Sequence, residues 1–179
     1  RTEFDLQVTE SHRRKIGVEG LWRTLSYIIK KAQEEEEDLI IFCEDDHQFT
    51  AHYSSDSLFK QIREAYSQNC DLLSGGISGG FSCAVPVSKN RFWIDGYYCN
   101  QFMVIYKNMF EKILGHSFNS SRKVDWTLTA LTASKMVMHP FISTQKYFGY
   151  SDVTSNNEGN LDWSLNRFKY AEEKLDAIK

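Results

Sequence analysis

From Gly17 to Lys31, and on to Ala32, the apolar residues Leu21, Trp22, Leu25, Ile28, Ile29 and Ala32 recur at the spacing of one helical face. The pattern predicts an amphipathic helix that needs a surface to pack on. The acidic run Glu34 to Asp38 opposes the helix dipole at that end and reads as a solvated turn. Leu39 to Cys43 is a short unbroken apolar run bounded by charge, the pattern of a central strand buried on both faces of a mostly parallel sheet. Leu58, Phe59, Ile62, Ala65 and Tyr66 return to helical spacing, and Asp71 to Ser74 predicts the next strand, ending at Gly75 and Gly76. Strand, helix, strand is a crossover unit. Further strands are expected at Ser82 to Val87, Gln101 to Tyr106 and Met136 to His139, and helices at Asn108 to Leu114 and Val124 to Ala133. From Leu161 to Ile178 the stripe Leu165, Phe168, Ala171, Leu175 and Ile178 predicts an amphipathic helix packed on its own domain.

This is an α/β pattern, and its 179 residues, with no internal repeat and no Ser/Gly/Pro linker, are expected to form one domain over residues 1–179. Lys and Arg number 21 against 24 Asp and Glu, so the basic excess on which a dedicated nucleic-acid binder relies is missing. No apolar run approaches the roughly 18 residues of a membrane helix, and a cytoplasmic or membrane-peripheral location is expected. Cys43, Cys70, Cys83 and Cys99 form no CxxC pair and read as reduced thiols, Cys43 as a small buried hydrophobe.

The chemistry concentrates where the first strand ends, in Glu44-Asp45-Asp46-His47. Ligands of open α/β sheets collect at the carboxyl ends of strands, and three consecutive acids there repel one another unless a cation is present. In an extended backbone Glu44 and Asp46 would face one way and Asp45 the other. Hard oxygen ligands suit Mg²⁺ or Mn²⁺ better than zinc. The competing reading is an acidic loop that caps the next helix. Gly75-Gly76-Ile77-Ser78-Gly79-Gly80 follows a strand and would let backbone N–H groups approach a donor or acceptor, but it lacks the Lys-Ser/Thr of a P-loop and the spacing of a dinucleotide fingerprint. Trp93, Tyr97 and Tyr98 are candidates for an acceptor groove or for the core. Ser120 and Ser121 lack the context of a serine hydrolase nucleophile.

Together these segments resemble the GT-A nucleotide-sugar glycosyltransferases, more narrowly the family 25 type that includes lipooligosaccharide and collagen galactosyltransferases. The likeness runs in order from Ile16-Gly17-Val18-Glu19-Gly20-Leu21-Trp22 to Phe42-Cys43-Glu44-Asp45-Asp46, then Tyr97 to Tyr106, Val124-Asp125-Trp126 and Phe148-Gly149-Tyr150-Ser151-Asp152-Val153-Thr154. It implies a GT-A, Rossmann-like sheet and a metal-dependent, inverting transfer of sugar from a nucleotide donor, a UDP-sugar, to a glycan or glycolipid hydroxyl, as in lipopolysaccharide biosynthesis. Asp46 would hold the Mn²⁺ or Mg²⁺ on the donor diphosphate, with Glu44 near the ribose or a metal-bound water and Asp45, Gly75 and Gly76 at the donor.

His47 stands where that family has an apolar residue, as a metal ligand, a phosphate donor or a hydrogen-bonded loop residue. Asp125 is either a helix cap or the base that deprotonates the acceptor, and Asp152 either closes a turn or approaches the metal or donor sugar. The family's first, base-binding strand should precede the Gly17 helix, where only Arg1 to Lys15 stand, so part of the donor site is expected to be missing. A divalent-metal phosphoesterase and a non-catalytic glycan-binding domain of the same shape are the alternatives.

Overall fold

The computed structural model describes residues 4–12, 16–146 and 161–179. The chain orders as α1 (Gly17–Glu34), β1 (Leu39–Cys43), β2 (His47–Phe49), α2 (Ser55–Ser67), β3 (Leu72–Ser74), β4 (Ala84–Ser88), β5 (Arg91–Ile94) and β6 (Phe102–Tyr106). It continues as α3 (Lys107–Leu114), α4 (Val124–Leu131), β7 (Lys135–Met138), β8 (Ser143–Gln145) and α5 (Leu161–Asp176). Six strands form one mixed sheet in the order β1-β6-β3-β7-β5-β4, and β2 and β8 form a separate ribbon. The fold is α/β and Rossmann-like, a mixed sheet with helices on both faces.

Period-two alternation divides the core into two layers. On β6, Met103 and Ile105 face the layer that holds Trp22, Leu25 and Ile29 of α1, Phe110 and Ile113 of α3, Leu128 of α4 and Phe168, Ala171 and Leu175 of α5. Phe102, Val104 and Tyr106 face the opposite layer, under Leu58, Ile62 and Ala65 of α2. The amphipathic helices expected from the sequence thus find their surfaces. Leu165 and Ile178, at the two ends of the α5 stripe, remain exposed because the core ends beneath Phe168 and Leu175.

Two expectations change. The parallel share is smaller than predicted: β3 and β7 pair in parallel, and the other four neighbouring pairs are antiparallel. β1, β3, β7 and β4 still share one direction, because β6 and β5 are antiparallel strands inserted between them. Second, β1 is not central. It pairs with β6 alone among the described residues, at the edge of the sheet, so Leu39, Ile40 and Ile41 are only half-buried although they contact both core layers. Cys43, expected inside, is exposed for the same reason, and all four cysteines are free thiols. The opposite edge is β4, where Pro86 is tolerated because an edge strand needs hydrogen bonds on one side only.

The strand expected before the Gly17 helix is not among the described residues. Residues 5–12 form an irregular segment. It starts where Phe4 packs on Phe59 of α2 and ends where the His12 N–H donates to Thr24 Oγ1 of α1 at 2.9 Å. No helix among the described residues is long and apolar enough to cross a membrane.

Candidate functional site

The sheet ladder continues one step past β1, where Glu44 N–H donates to the Gln101 carbonyl at 3.1 Å, and then stops. His47 N–H donates back to the Glu44 carbonyl at 3.1 Å, closing a turn over Asp45 and Asp46. The acids therefore do not stay extended, as the alternation argument assumed. The turn sorts them the same way, with Asp45 exposed and Glu44 and Asp46 half-buried. It is held in place by the β2–β8 ribbon, in which His47 opposes Gln145, and by the Lys146 N–H, which donates to the Asp46 carbonyl.

Crowding has a large electrostatic effect here. Burial pushes the Glu44 carboxyl up to about 8, helped by the neighbouring charges of Asp46, Asp125 and Asp45. Asp46 is pushed up to about 6 by burial and then by Asp45, and its Oδ1 is buried without a hydrogen-bond partner among the described residues. His47 Nδ1 lies 2.9 Å from Ser143 Oγ, while Nε2 is buried and has no partner among the described residues. The ring packs edge-on to Phe49 and beside Phe102, and burial lowers its pKa, which favours the neutral imidazole.

Asp125, 81 residues beyond Glu44 in the chain, lies close enough for its charge to act on Glu44. It is not the helix cap: Lys123 holds that position, without a side-chain hydrogen bond, and Asp125 lies inside the first turn of α4. Its Oδ1 accepts the N–H of Trp126 at 2.8 Å and its Oδ2 the N–H of Cys99 at 3.1 Å. Only 9% exposed, it is raised above the usual carboxylate range by burial, against the lowering effect of those two N–H groups. Cys99 takes a left-handed backbone, φ 79°, to present that N–H. Its Sγ lies 3.0 Å from Ser78 Oγ, and burial with the Asp125 and Glu44 charges pushes the thiol up to about 12.

Gly75 and Gly76 prove to be packing residues. Gly75 N–H donates to the Phe102 carbonyl and Gly76 N–H to Ser74 Oγ, so neither is directed at a ligand. A Cβ on Gly75 would stand 2.7 Å from Phe102 Cδ1, and one on Gly76 would stand 2.1 Å from the Ser143 carbonyl oxygen. The open part of the loop comes later, at Gly79 (φ 119°), where a Cβ would meet nothing within 4 Å. Trp93 Nε1 donates to the Ala133 carbonyl, in the link between α4 and β7. Tyr97 is buried and close enough to Asp125 and Glu44 for both to raise its hydroxyl. Asp152, with the segment Phe148 to Thr154, lies outside the described residues.

Several members of the cluster carried no sequence signal. Gln101 is fully buried, with Nε2 on the Gly76 carbonyl at 2.8 Å, and neither its Oε1 nor the buried Asn100 Oδ1 has a partner among the described residues. Gln145 Oε1 lies 3.5 Å from Cys99 Sγ. Arg167 of α5 lies over the Tyr98 ring, 5.6 Å from its centroid, and acts electrostatically on Cys99. These are ordinary polar residues spread along the chain: Asn100 and Gln101 precede β6, and β8 and α5 bring Gln145 and Arg167 to them.

Among the described residues no group of three or more His, Cys, Asp and Glu is arranged to hold a metal ion. Mg²⁺ and Mn²⁺ do not require such a cage, since they commonly bind through one or two carboxylates and complete their shell with water and substrate phosphates. The unpartnered Asp46 Oδ1 and the strained ionisation of Glu44 fit that requirement.

Both acids titrate higher folded than unfolded, so the folded chain holds extra protons between about pH 4.5 and 8 at Glu44, and stability falls as pH rises through that window. Glu44→Gln, which removes the charge at constant shape, is expected to stabilise the metal-free protein by about 2 kcal/mol at pH 8 and by little at pH 5. Thermal denaturation at the two pH values checks this, and an equal shift at both would deny the charge repulsion. No protein-family model matches the chain, and no curated protein matches it.

Proposed function

We propose that this domain is a metal-dependent glycosyltransferase of GT-A type, moving a sugar with inversion from a nucleotide-sugar donor, a UDP-sugar, to the hydroxyl of a glycan or glycolipid. The observation that carries the reading is the partly buried turn at the carboxyl end of β1 that holds Glu44 and the unpartnered Asp46 Oδ1, within the electrostatic reach of Asp125 on α4. Asp46, with Glu44, would hold Mn²⁺ or Mg²⁺. When bound, the cation supplies Lewis-acid neutralisation of the departing diphosphate.

The chain's own residues do the rest. Glu44, whose carboxyl burial raises to about 8, would bind a cation as the carboxylate, its proton passing to solvent. Asp125, held by the Cys99 and Trp126 N–H groups, keeps free lone pairs on both oxygens and takes the proton of the acceptor hydroxyl. His47, anchored through Nδ1, presents a neutral ring whose Nε2 is available to a cation or a phosphate.

Titration calorimetry of the full chain with UDP, in Mn²⁺ and in EDTA, tests the reading. UDP affinity is expected to fall at least about tenfold on chelation, and Asp46→Asn is expected to weaken metal-supported binding by roughly 10–100-fold. An amide there removes one negative charge from the cation's shell. Equal affinity in both conditions would remove the metal from the proposal. Phosphate release from simple esters without a sugar nucleotide would instead mark a phosphoesterase. Glycan binding indifferent to both chelator and Asp46→Asn would mark a non-catalytic domain.

A further inference from the structure

His47 is joined through Ser143 to a side-chain amide whose orientation one backbone carbonyl fixes. Gln101 and Ser143 are both fully buried, so their polar hydrogens must find acceptors inside the protein. The end of the Gln101 amide nearest Gly76 lies 2.8 Å from that residue's carbonyl oxygen, which can only accept, so this end is the NH₂ group. Its second hydrogen has Ser143 Oγ as its acceptor, at 3.4 Å. A hydroxyl that accepts from Gln101 keeps its own hydrogen for another partner, and among the described residues that partner is His47 Nδ1 at 2.9 Å. Nδ1 is therefore the accepting nitrogen, and in a neutral imidazole the proton then sits on Nε2. The direction of the whole chain is set at the Gly76 carbonyl, a group that cannot become a donor.

A ring nitrogen that carries a proton cannot coordinate a cation, but it can donate to an oxyanion. Nε2 is buried and has no partner among the described residues, and a buried donor left in that state is costly, so an arriving oxyanion would relieve it. We infer that Gln101 and Ser143 are positioning residues that fix His47 as the Nε2–H tautomer, making it a hydrogen-bond donor to a phosphate oxygen of the nucleotide and not a ligand of the cation. The choice of a nucleotide phosphate rests on the proposed glycosyltransferase reading, whereas the tautomer rests on the three hydrogen bonds alone. His47 thereby leaves the metal set expected from the sequence, and the cation falls to Glu44 and Asp46.

The test is the ¹⁵N spectrum of the imidazole side chains in the full chain, without metal and at mildly alkaline pH, where long-range N–H couplings tell the protonated nitrogen of each ring from the bare one. His47 is expected to show a bare Nδ1 and a protonated Nε2. A solvated imidazole favours the same form, so the deciding variant is Gln101→Glu. A carboxyl group in that place accepts from Ser143 whether or not it is protonated, which turns the hydroxyl round, and His47 should reverse to Nδ1–H. Where Gln101→Glu does not fold, Ser143→Ala decides: with the relay removed, the two tautomers should average and the two nitrogen shifts approach each other. A wild-type Nδ1–H form, or a His47 pattern unchanged in the folded variant, overturns the relay. Calorimetry then separates donor from ligand. His47→Ala is expected to leave Mn²⁺ affinity without nucleotide at the wild-type value and to lower Mn²⁺-supported UDP affinity by about tenfold or more, the scale of losing a hydrogen bond to a charged group. His47→Gln, which keeps an N–H, should retain most of that affinity. A loss of Mn²⁺ affinity without nucleotide in His47→Ala, or UDP affinity equal to wild type, overturns the donor role. Absence of UDP binding by the wild type, with the tautomer reversed in Gln101→Glu, would instead overturn the glycosyltransferase reading and leave the relay standing.

Discussion

Asp125→Asn is expected to lower transferase turnover by roughly 10²–10⁴-fold, the usual cost of losing a general base. An amide cannot take the acceptor's proton, while metal-supported UDP affinity should persist because the substitution leaves Glu44 and Asp46 in place. The fold will register the change as well. Each oxygen of Asp125 accepts a backbone N–H, from Trp126 and from Cys99, and an amide offers one oxygen and one NH₂. One of the two N–H groups must then face a donor, which costs about 1–3 kcal/mol. A helix cap would behave differently, since Asn and Asp cap almost equally well.

Turnover, UDP affinity and melting midpoint measured on wild type and variant below both midpoints separate lost chemistry from lost structure. The pH profile adds an independent reading. A base whose pKa is raised loses activity, as pH falls, above the ordinary carboxylate range, and that acid limb should vanish with the substitution. Undiminished turnover would remove Asp125 as the base.

Gly76→Ala is expected to be the most damaging small substitution in the chain for stability. The new Cβ would stand 2.1 Å from the Ser143 carbonyl oxygen and 3.2 Å from Phe141 Cβ. Ser143 cannot retreat easily, because β8 is tied to β2 and its neighbouring backbone is tied to the Gly75 carbonyl through the Ile142 and Ser143 N–H groups. Relief requires moving backbone, so a loss of about 3 kcal/mol is expected, roughly 10 °C in midpoint for a chain of this size. The site should loosen with it, since Ser143 also holds His47 and Gln101. Thermal unfolding of Gly76→Ala beside Gly79→Ala, where a Cβ meets no neighbour but the backbone sits at φ 119°, distinguishes a packing clash from conformational strain. A Gly76→Ala midpoint equal to wild type would deny the close approach.

The helices were legible because amphipathic periodicity is local: the α1 stripe of Trp22, Leu25 and Ile29 and the α5 stripe of Phe168, Ala171 and Leu175 are the residues that meet the core. The acid triplet was legible as a local run of three carboxylates after an apolar strand, which the sequence left open between a cation site and an acidic loop capping the next helix. Sheet order was not legible. Leu39 to Cys43 reads the same at the centre of a sheet or at its edge, and the insertion of β6 between β1 and β3 depends on pairings between residues far apart in the chain. β2 and β8, three residues each, are too short to carry a period and form only because each supplies the other's hydrogen bonds.

For the site, the sequence by itself determined which residues have the chemistry: Glu44, Asp46, His47 and Asp125 are acids and an imidazole wherever the chain puts them. Tertiary structure alone decided their states and their company. It raised Glu44 by burying it among Asp46 and Asp125, made Asp125 an acceptor for Cys99 rather than a cap, and turned Gly75 and Gly76 from a ligand cradle into the floor beneath β8. The physical reason is that a residue's identity is covalent and local, whereas pKa, hydrogen-bond partner and exposure are energies of its surroundings, which here are contributed by segments that meet only when the sheet is complete.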